Sequence, residues 1–360
     1  MQNARQRIEQ AFAGIRPDRT PIYDLICNDA VIEHFAGRKL DSDDAEAVVI
    51  AALSHILDGT RDMTTPKAPG TTWRDKAGNL IEAQRWTSWV KQPAHADEDE
   101  WAGFIRGDIE RLESEPEPAP ADIAAERARQ QEWTERFNGT VYIHTTPSVS
   151  INEAMFGYHC GLDHFTYLRY DHPELIRRWL DAIEQSELRR IQRVAHADLS
   201  PLALLYSDVA FKTGLMMSRD DLRAIGFFDN VERLTAACHG RGLKVIFHSD
   251  GNLWQILEDI KQAGVDGLNP LEPLSGMYTG DVRKQYPSWI LMGGIDSSQL
   301  LPNGTESEVR ATVQRALREA GAHGRLWLGS STEIHPAVKL ANVLAMWDEI
   351  ETHGYYDRTA

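Results

Sequence analysis

The sequence is short of cysteine, short of positive charge and free of long apolar runs, and each shortage removes a class of answers. Only three cysteines occur, Cys27, Cys160 and Cys238. They are scattered and none forms a CxxC pair, so buried free thiols are expected rather than a disulfide frame. Basic residues number 38 against 54 acidic ones, a formal charge of -16. Nucleic acids and anionic membranes need a basic face, so neither is an expected partner. No run approaches the roughly eighteen consecutive apolar residues that span a bilayer, and the opening MQNARQRIEQAFAG has no apolar core like that of a secretion signal. A cytoplasmic protein is expected. A GxGxxG after the first strand is also missing, which turns the reading away from a dinucleotide-binding open sheet.

What is present is rhythm. In LKVIFHSDGNLWQILEDIKQAGVDGLNPLEP, residues 243–273, an apolar run of strand composition stops at His248, Ser249 and Asp250. A helical pattern over 253–262 closes on Gly264, and a second short strand at 265–268 runs into Asn269 and Glu272. This is one βαβ unit with polar side chains on both strand tips. Further strands are expected at 21–27, 61–65, 140–144, 202–208, 289–293 and 326–329, with helices such as 173–194, 220–240, 305–320 and 336–353 between them. Eight strands with interleaved helices predict an α/β fold, a closed (β/α)8 TIM barrel, spanning residues 1–360 as a single domain. Residues 66–136 break the rhythm with a hairpin turning at Ala77, Gly78 and Asn79 and then, across ESEPEPAPADIAAERARQQEW, helices joined by a proline-rich loop. They read as an insertion covering one end of the barrel, with a mobile acidic surface excursion as the alternative for the EPEPAPA portion.

A barrel carries its chemistry on the C-terminal strand ends. Those ends hold Asn28, His144, Asp208 with Lys212, His248 with Asp250, Asn269 with Glu272, Asp296, and Ser330 with Ser331 and Glu333. Asp208 and His248 are the candidate catalytic residues. Asn28, His144, Lys212 and Glu333 are candidates for substrate binding. The bland alternatives stand beside these: a capping turn after His248 made by Asn252, a satisfied core role for His144, and a solvated surface role for Lys212. Asp296, in GGID, reads as a residue that fixes its own turn.

Several stretches resemble the uroporphyrinogen decarboxylase (URO-D) superfamily, which includes corrinoid methyltransferases and is similar to cobalamin-independent methionine synthase: DVAFKTGLMMSRDDLRAI from Asp208, VIFHSDGN from Val245, AGVDGLNPLEP from Ala263, LMGGID from Leu291 and the segment after GSSTEIHP. The zinc-dependent methyltransferases of that group place His-x-Cys after one strand, a Glu after the next in the methionine synthase relatives, and a second Cys after the last. The matching positions here are His248 and Asp250, Glu272, and Ser330 or Ser331, so both thiolates are replaced. The resemblance therefore implies a divalent metal, zinc first, held by His248, Asp250, Glu272 and Ser330, with harder ligands that suit an oxygen substrate. It equally admits the metal-free remnant of such a site, since uroporphyrinogen decarboxylase itself needs no metal.

The arginine-rich signature by which the true decarboxylase binds its many carboxylates is absent: IYDLICNDAVIEHFAGRKL has no arginine before Arg38. The resemblance is thus closer to the methyltransferase branch. It implies transfer of a methyl group between a small methylated compound and a corrinoid or a thiol or oxygen acceptor. No DxHxxG cobalamin motif is present, so any corrinoid would come on a separate partner protein. A decarboxylase (a lyase) acting on a smaller acid, and a non-catalytic ligand-binding barrel, are the other readings. An oligomer is compatible with all three.

Overall fold

The computed structural model describes residues 2–41 and 43–356. Helix Ala4–Ala13 opens the chain, capped by Asn3, whose side chain accepts from the Gln6 amide. An extended segment, residues 21–26, follows. Next come β1 (Gly59–Arg61), an antiparallel meander of β2 (Thr72–Arg74), β3 (Leu80–Ala83) and β4 (Ser88–Gln92), and β5 (Val141–Ile143). β6 (Leu202–Tyr206) is followed by a tiny hairpin, β7 (Ala210–Phe211) and β8 (Gly214–Leu215). β9 (Lys244–His248), β10 (Gly267–Leu271), β11 (Ile290–Ile295) and β12 (Leu326–Ser330) complete the list.

The barrel closes. β6, β9, β10, β11 and β12 are neighbours in one parallel sheet, and β1 pairs in parallel with β5. Past β5 the chain stays extended, and Leu204 N donates to Thr145 O at 2.9 Å, joining β5 to β6. On the other side, residues 21–26 bridge the gap: Tyr23 N donates to Leu328 O at 3.0 Å and Gly59 N donates to Ile22 O at 3.2 Å. That makes eight parallel staves in chain order, the TIM barrel that the strand rhythm predicts. Gly329 is required at this seam, since a Cβ there would lie 1.8 Å from Tyr23 O.

The period of two explains both cores. One set of side chains, Tyr23, Val141, Ile143, Leu202, Leu204, Ile246, Ile290, Met292 and Trp327, fills the barrel together with Ile8 and Ala11 of the first helix. The opposite set, including Ala203, Leu205, Val245, Phe247, Leu268, Leu291 and Leu328, packs under the surrounding helices. With both faces buried, the strands read as nearly unbroken apolar runs.

The insertion divides into two parts. The meander is tied to loops at the C-terminal strand ends: Asp29 accepts from Arg85 Nε and Trp86 Nε1, both at 2.7 Å, Asp75 pairs with His159 Nδ1 at 2.9 Å, and Lys76 pairs with Glu153. Helices Glu98–Glu113 and Pro120–Arg136 instead lie along the flank, against helix Pro173–Val194. Asp108 accepts from Trp179 Nε1 at 2.8 Å, and Gln130 Nε2 donates to Val194 O at 3.0 Å. Only the meander therefore stands at an end of the barrel.

Candidate active site

The strand tips at 248–250 and 208 build the centre of the mouth. His248 ends β9 and is buried, its ring edge-on to Tyr206 with centroids 4.8 Å apart. Its Nδ1 is 2.8 Å from Asn269 Oδ1, at the neighbouring position of β10. Because that oxygen can only accept, Nδ1 carries the proton and Nε2 keeps its lone pair. Burial, with the nearby positive charge of Arg61, pushes the imidazole down to about 3, so the ring is neutral. Nε2 lies 3.9 Å from Asp208 Oδ1. With a neutral ring this contact is not an ion pair.

Asp208 follows β6. Its amide donates to Asn152 Oδ1 at 2.9 Å, and its Oδ1 accepts from the Asp250 amide at 3.1 Å. Burial raises its carboxyl above the usual range. Asp250 is pushed up to about 7, by burial first and then by the negative charges of Asp208 and Glu272. Asp208, His248 and Asp250 each turn one donor atom into a common space, all within 4.8 Å of one another. This arrangement fits a divalent cation on three counts: a neutral imidazole with a free lone pair, a partner that fixes the ring's tautomer, and two crowded carboxylates whose repulsion a cation would relieve.

Glu272 stands beside the cluster. Its Oε2 accepts from Gly251 N at 2.6 Å and Ser275 Oγ at 3.2 Å, while Thr332 Oγ1 lies 3.3 Å from Asp250 Oδ1 and 3.5 Å from Glu272 Oε1. Gly251 has φ +89°, and a Cβ there would lie 2.6 Å from Ala210 O, so only glycine brings its N–H to Glu272 in this way.

Beneath the cluster lies a second network. Arg61, at the end of β1, donates from Nε to Tyr23 Oη at 2.8 Å and from Nη1 to Tyr206 Oη and to Asp62, the last at 3.1 Å. Tyr206 Oη in turn donates to Asp62. Burial raises both phenols, that of Tyr23 to about 12, so they stay protonated. Asp24 is sealed nearby, its carboxyl pushed up to about 7 by burial while accepting from Ser330 Oγ at 2.6 Å and Ser330 N at 2.9 Å.

The sequence profile of the family described as "Uroporphyrinogen decarboxylase (URO-D)" matches residues 155–353. The chain belongs to the uroporphyrinogen decarboxylase family. The matched part carries five of the eight staves, β6 and β9 to β12, and all three residues of the donor cluster. No curated protein matches the chain by sequence. Among solved structures, a methyltransferase from Methanosarcina mazei is similar over 98% of this chain and 99% of its own, with 15% identity and a TM-score of 0.66. A xylose isomerase-like TIM barrel protein from Mycobacterium smegmatis, solved with magnesium, covers 71% of this chain and 89% of its own, with 14% identity and a TM-score of 0.31. The first likeness shows the fold alone, a similar architecture over nearly the whole chain. The second carries no weight.

Several expected site residues stand elsewhere. Asn28 is spent on structure: Nδ2 donates to His335 O and Val338 O at 2.9 and 3.0 Å, and Oδ1 caps the helix at Val31 N. His144 has the parity of Tyr142, not of Ile143, so it faces the flanking helix, 3.0 Å from Thr134 Oγ1. Burial lowers it to about 4. Lys212 is exposed at the tip of the β7–β8 hairpin and has no ion pair with Asp208. Ser330 gives its hydroxyl to Asp24 and is not turned to the donor cluster, whose third member is Asp208 and not Glu272. Glu333 lies near the first stave, where its charge acts on the buried Asp24 and Cys27. Asp296 fixes its turn by accepting from three successive amides, Ser298 to Leu300. The helix expected from Leu253 begins at Leu257, so Asn252 caps no helix; its Nδ2 donates to Ser275 O at 2.9 Å.

The residues that sequence reasoning missed are Arg61, Asp62, Tyr23, Tyr206, Asp24, Asn269 as ring orienter, and Thr332. A strand expected at 61–65 made Arg61 a first residue; in β1 it is the last, and a last residue points its chemistry into the mouth.

Proposed function

We propose that this protein is a methyltransferase that moves a methyl group from a small methylated oxygen compound, with a divalent metal, zinc first, held by Asp208, His248 and Asp250. One observation carries the reading: the three donors meet at the barrel mouth, and none of the three thiols, each buried and raised to about 12, is among them. No thiolate is at hand to soften the site, so an oxygen substrate is favoured over a thiol. The Methanosarcina neighbour, itself a methyltransferase, supports the reaction class.

When bound, the cation supplies Lewis acidity to the oxygen that the methyl group leaves. The chain does the rest. Asn269 holds the His248 ring so that Nε2 faces the mouth, and the Asp250 amide pins the Asp208 carboxylate. Thr332 spans Asp250 and Glu272, keeping their repulsion at a fixed separation. Tyr206 packs between Arg61 and His248 and walls that side of the cluster. The acceptor is a corrinoid delivered by a separate protein, or a thiol or oxygen compound.

A second reading, decarboxylation of a small acid, draws on Asp208, whose raised carboxyl can hold the proton that replaces carboxylate. His248, neutral down to about pH 3, is no such donor. The test is metal analysis of protein purified without chelator, followed by spectra of cobalamin mixed with methyl donors and by carbon dioxide measurement. A bound metal and a cobalamin change that both vanish in His248→Ala support methyl transfer. Undiminished turnover after chelation refutes the metal, carbon dioxide release favours the second reading, and silence in both assays with ligand-induced stabilisation indicates a binding protein.

A further inference from the structure

Arg61 is a buried cation in an acidic mouth, and its hydrogen bonds are incomplete. Its side chain is 7% exposed, and the donors account as follows. Nε goes to Tyr23, and Nη1 is shared by Tyr206 and Asp62. Among the described residues, Nη2 donates to no protein group, yet it is not one of the polar atoms sealed without a partner, so it keeps access to solvent. A guanidinium has five N–H groups in one plane, and here the two on Nη2 are unspent. The group also stacks over Tyr206, 5.1 Å from the ring centroid, and Tyr206 packs edge-on to His248. Arg61 is thus one aromatic ring away from the donor cluster, and its charge is felt at Asp208, His248 and Asp250 alike.

The charge that balances Arg61 is weakly seated. Asp62 has φ +40°, a left-handed backbone that costs a non-glycine residue of its kind about 1 kcal/mol, and its side chain is 45% exposed. Asp62 takes one edge of the guanidinium and leaves the other open. A flat, negatively charged group with two oxygens is the partner that such an open edge recognises.

We propose that Nη2 of Arg61 binds a carboxylate of the substrate, so that the methylated compound is a small carboxylic acid with its methyl-bearing oxygen toward the Asp208–His248–Asp250 cluster. The inference rests on the proposed function above, since it assigns the second anchor of the same substrate. Asp62 competes with that carboxylate for the guanidinium and sets its affinity.

The probes are methoxyacetate and its neutral isostere methoxyacetamide, titrated calorimetrically into the metal-loaded full chain. The expected result is about tenfold tighter binding of the carboxylate, the size of one charge-assisted hydrogen bond. Arg61→Met should remove the preference. Should that variant fail to fold, Asp62→Asn tests the idea from the opposite side: with the competing charge gone, methoxyacetate should bind several-fold tighter while methoxyacetamide is unchanged. A wild-type protein that binds the carboxylate no better than the amide, or an Asp62→Asn variant with an unchanged ratio, overturns the proposal. The same titration in His248→Ala separates the two readings. A carboxylate preference in a chain that never binds metal keeps Arg61 and rejects the metal site, whereas metal binding without a preference does the reverse.

Discussion

Asp24 allows the physics of the mouth to be tested without substrate or metal. It is 1% exposed and accepts from the Ser330 amide, the Ser330 hydroxyl and its neighbour Leu25 N, and burial pushes its carboxyl up to about 7 from 3.8. Between those two values the folded protein holds a proton that the unfolded chain has released. The stability contributed by this proton is therefore complete below about pH 4 and is lost as pH rises to about 7. Three units at about 1.4 kcal/mol each set an upper bound of about 4 kcal/mol, and relaxation around the charged form reduces this to about 2–4 kcal/mol. Asp24→Asn keeps the shape and removes the titration, at a cost of about 1 kcal/mol for a less well matched bond to Ser330. The variant should be the less stable protein near pH 4 and the more stable one near pH 8, with the two curves crossing between. Thermal unfolding of both proteins across one buffer series reads this directly, and the difference between them isolates Asp24 from every other titrating group. A difference that stays constant with pH refutes the burial argument.

Three further outcomes follow from named contacts. Asn269→Ala frees the His248 ring and should weaken metal affinity by about 10- to 100-fold in a zinc titration, with a stability loss of about 1–3 kcal/mol from the unpaired buried Nδ1–H; unchanged affinity would show that the ring is oriented by other means. Gly329→Ala puts a Cβ 1.8 Å from Tyr23 O and should cost about 3 kcal/mol or more, read by denaturation, and a soluble variant with the parent midpoint contradicts the seam as described. Asp250→Cys should raise zinc affinity by placing a thiolate in the donor cluster, whereas Ser330→Cys should add none and cost about 1–3 kcal/mol through loss of the bond to Asp24. Equal gains from the two cysteines would move Ser330 back into the site.

The fold was legible because burial on both faces leaves a plain record: apolar runs ending in polar tips, one after another, eight times. The site was legible only where a tip residue also had the right parity. His248 and Asp208 lie just where their strands open into the mouth, and the sequence shows as much. His144 follows β5 just as closely, yet it is one residue out of phase with Val141 and Ile143 and turns to the flanking helix. Arg61 failed the other way: a three-residue strand offers too short a run for its end to be placed, so the buried cation of the mouth was read as a strand's beginning. Ser330 illustrates a third limit. Its position follows from the strand, but its partner is Asp24, 306 residues earlier in the chain and brought alongside by barrel closure at the Tyr23–Leu328 seam. Strand periodicity locates a residue along its own stave; which residue across the seam claims its hydroxyl depends on how the ring of staves is sheared, and no local pattern records that shear.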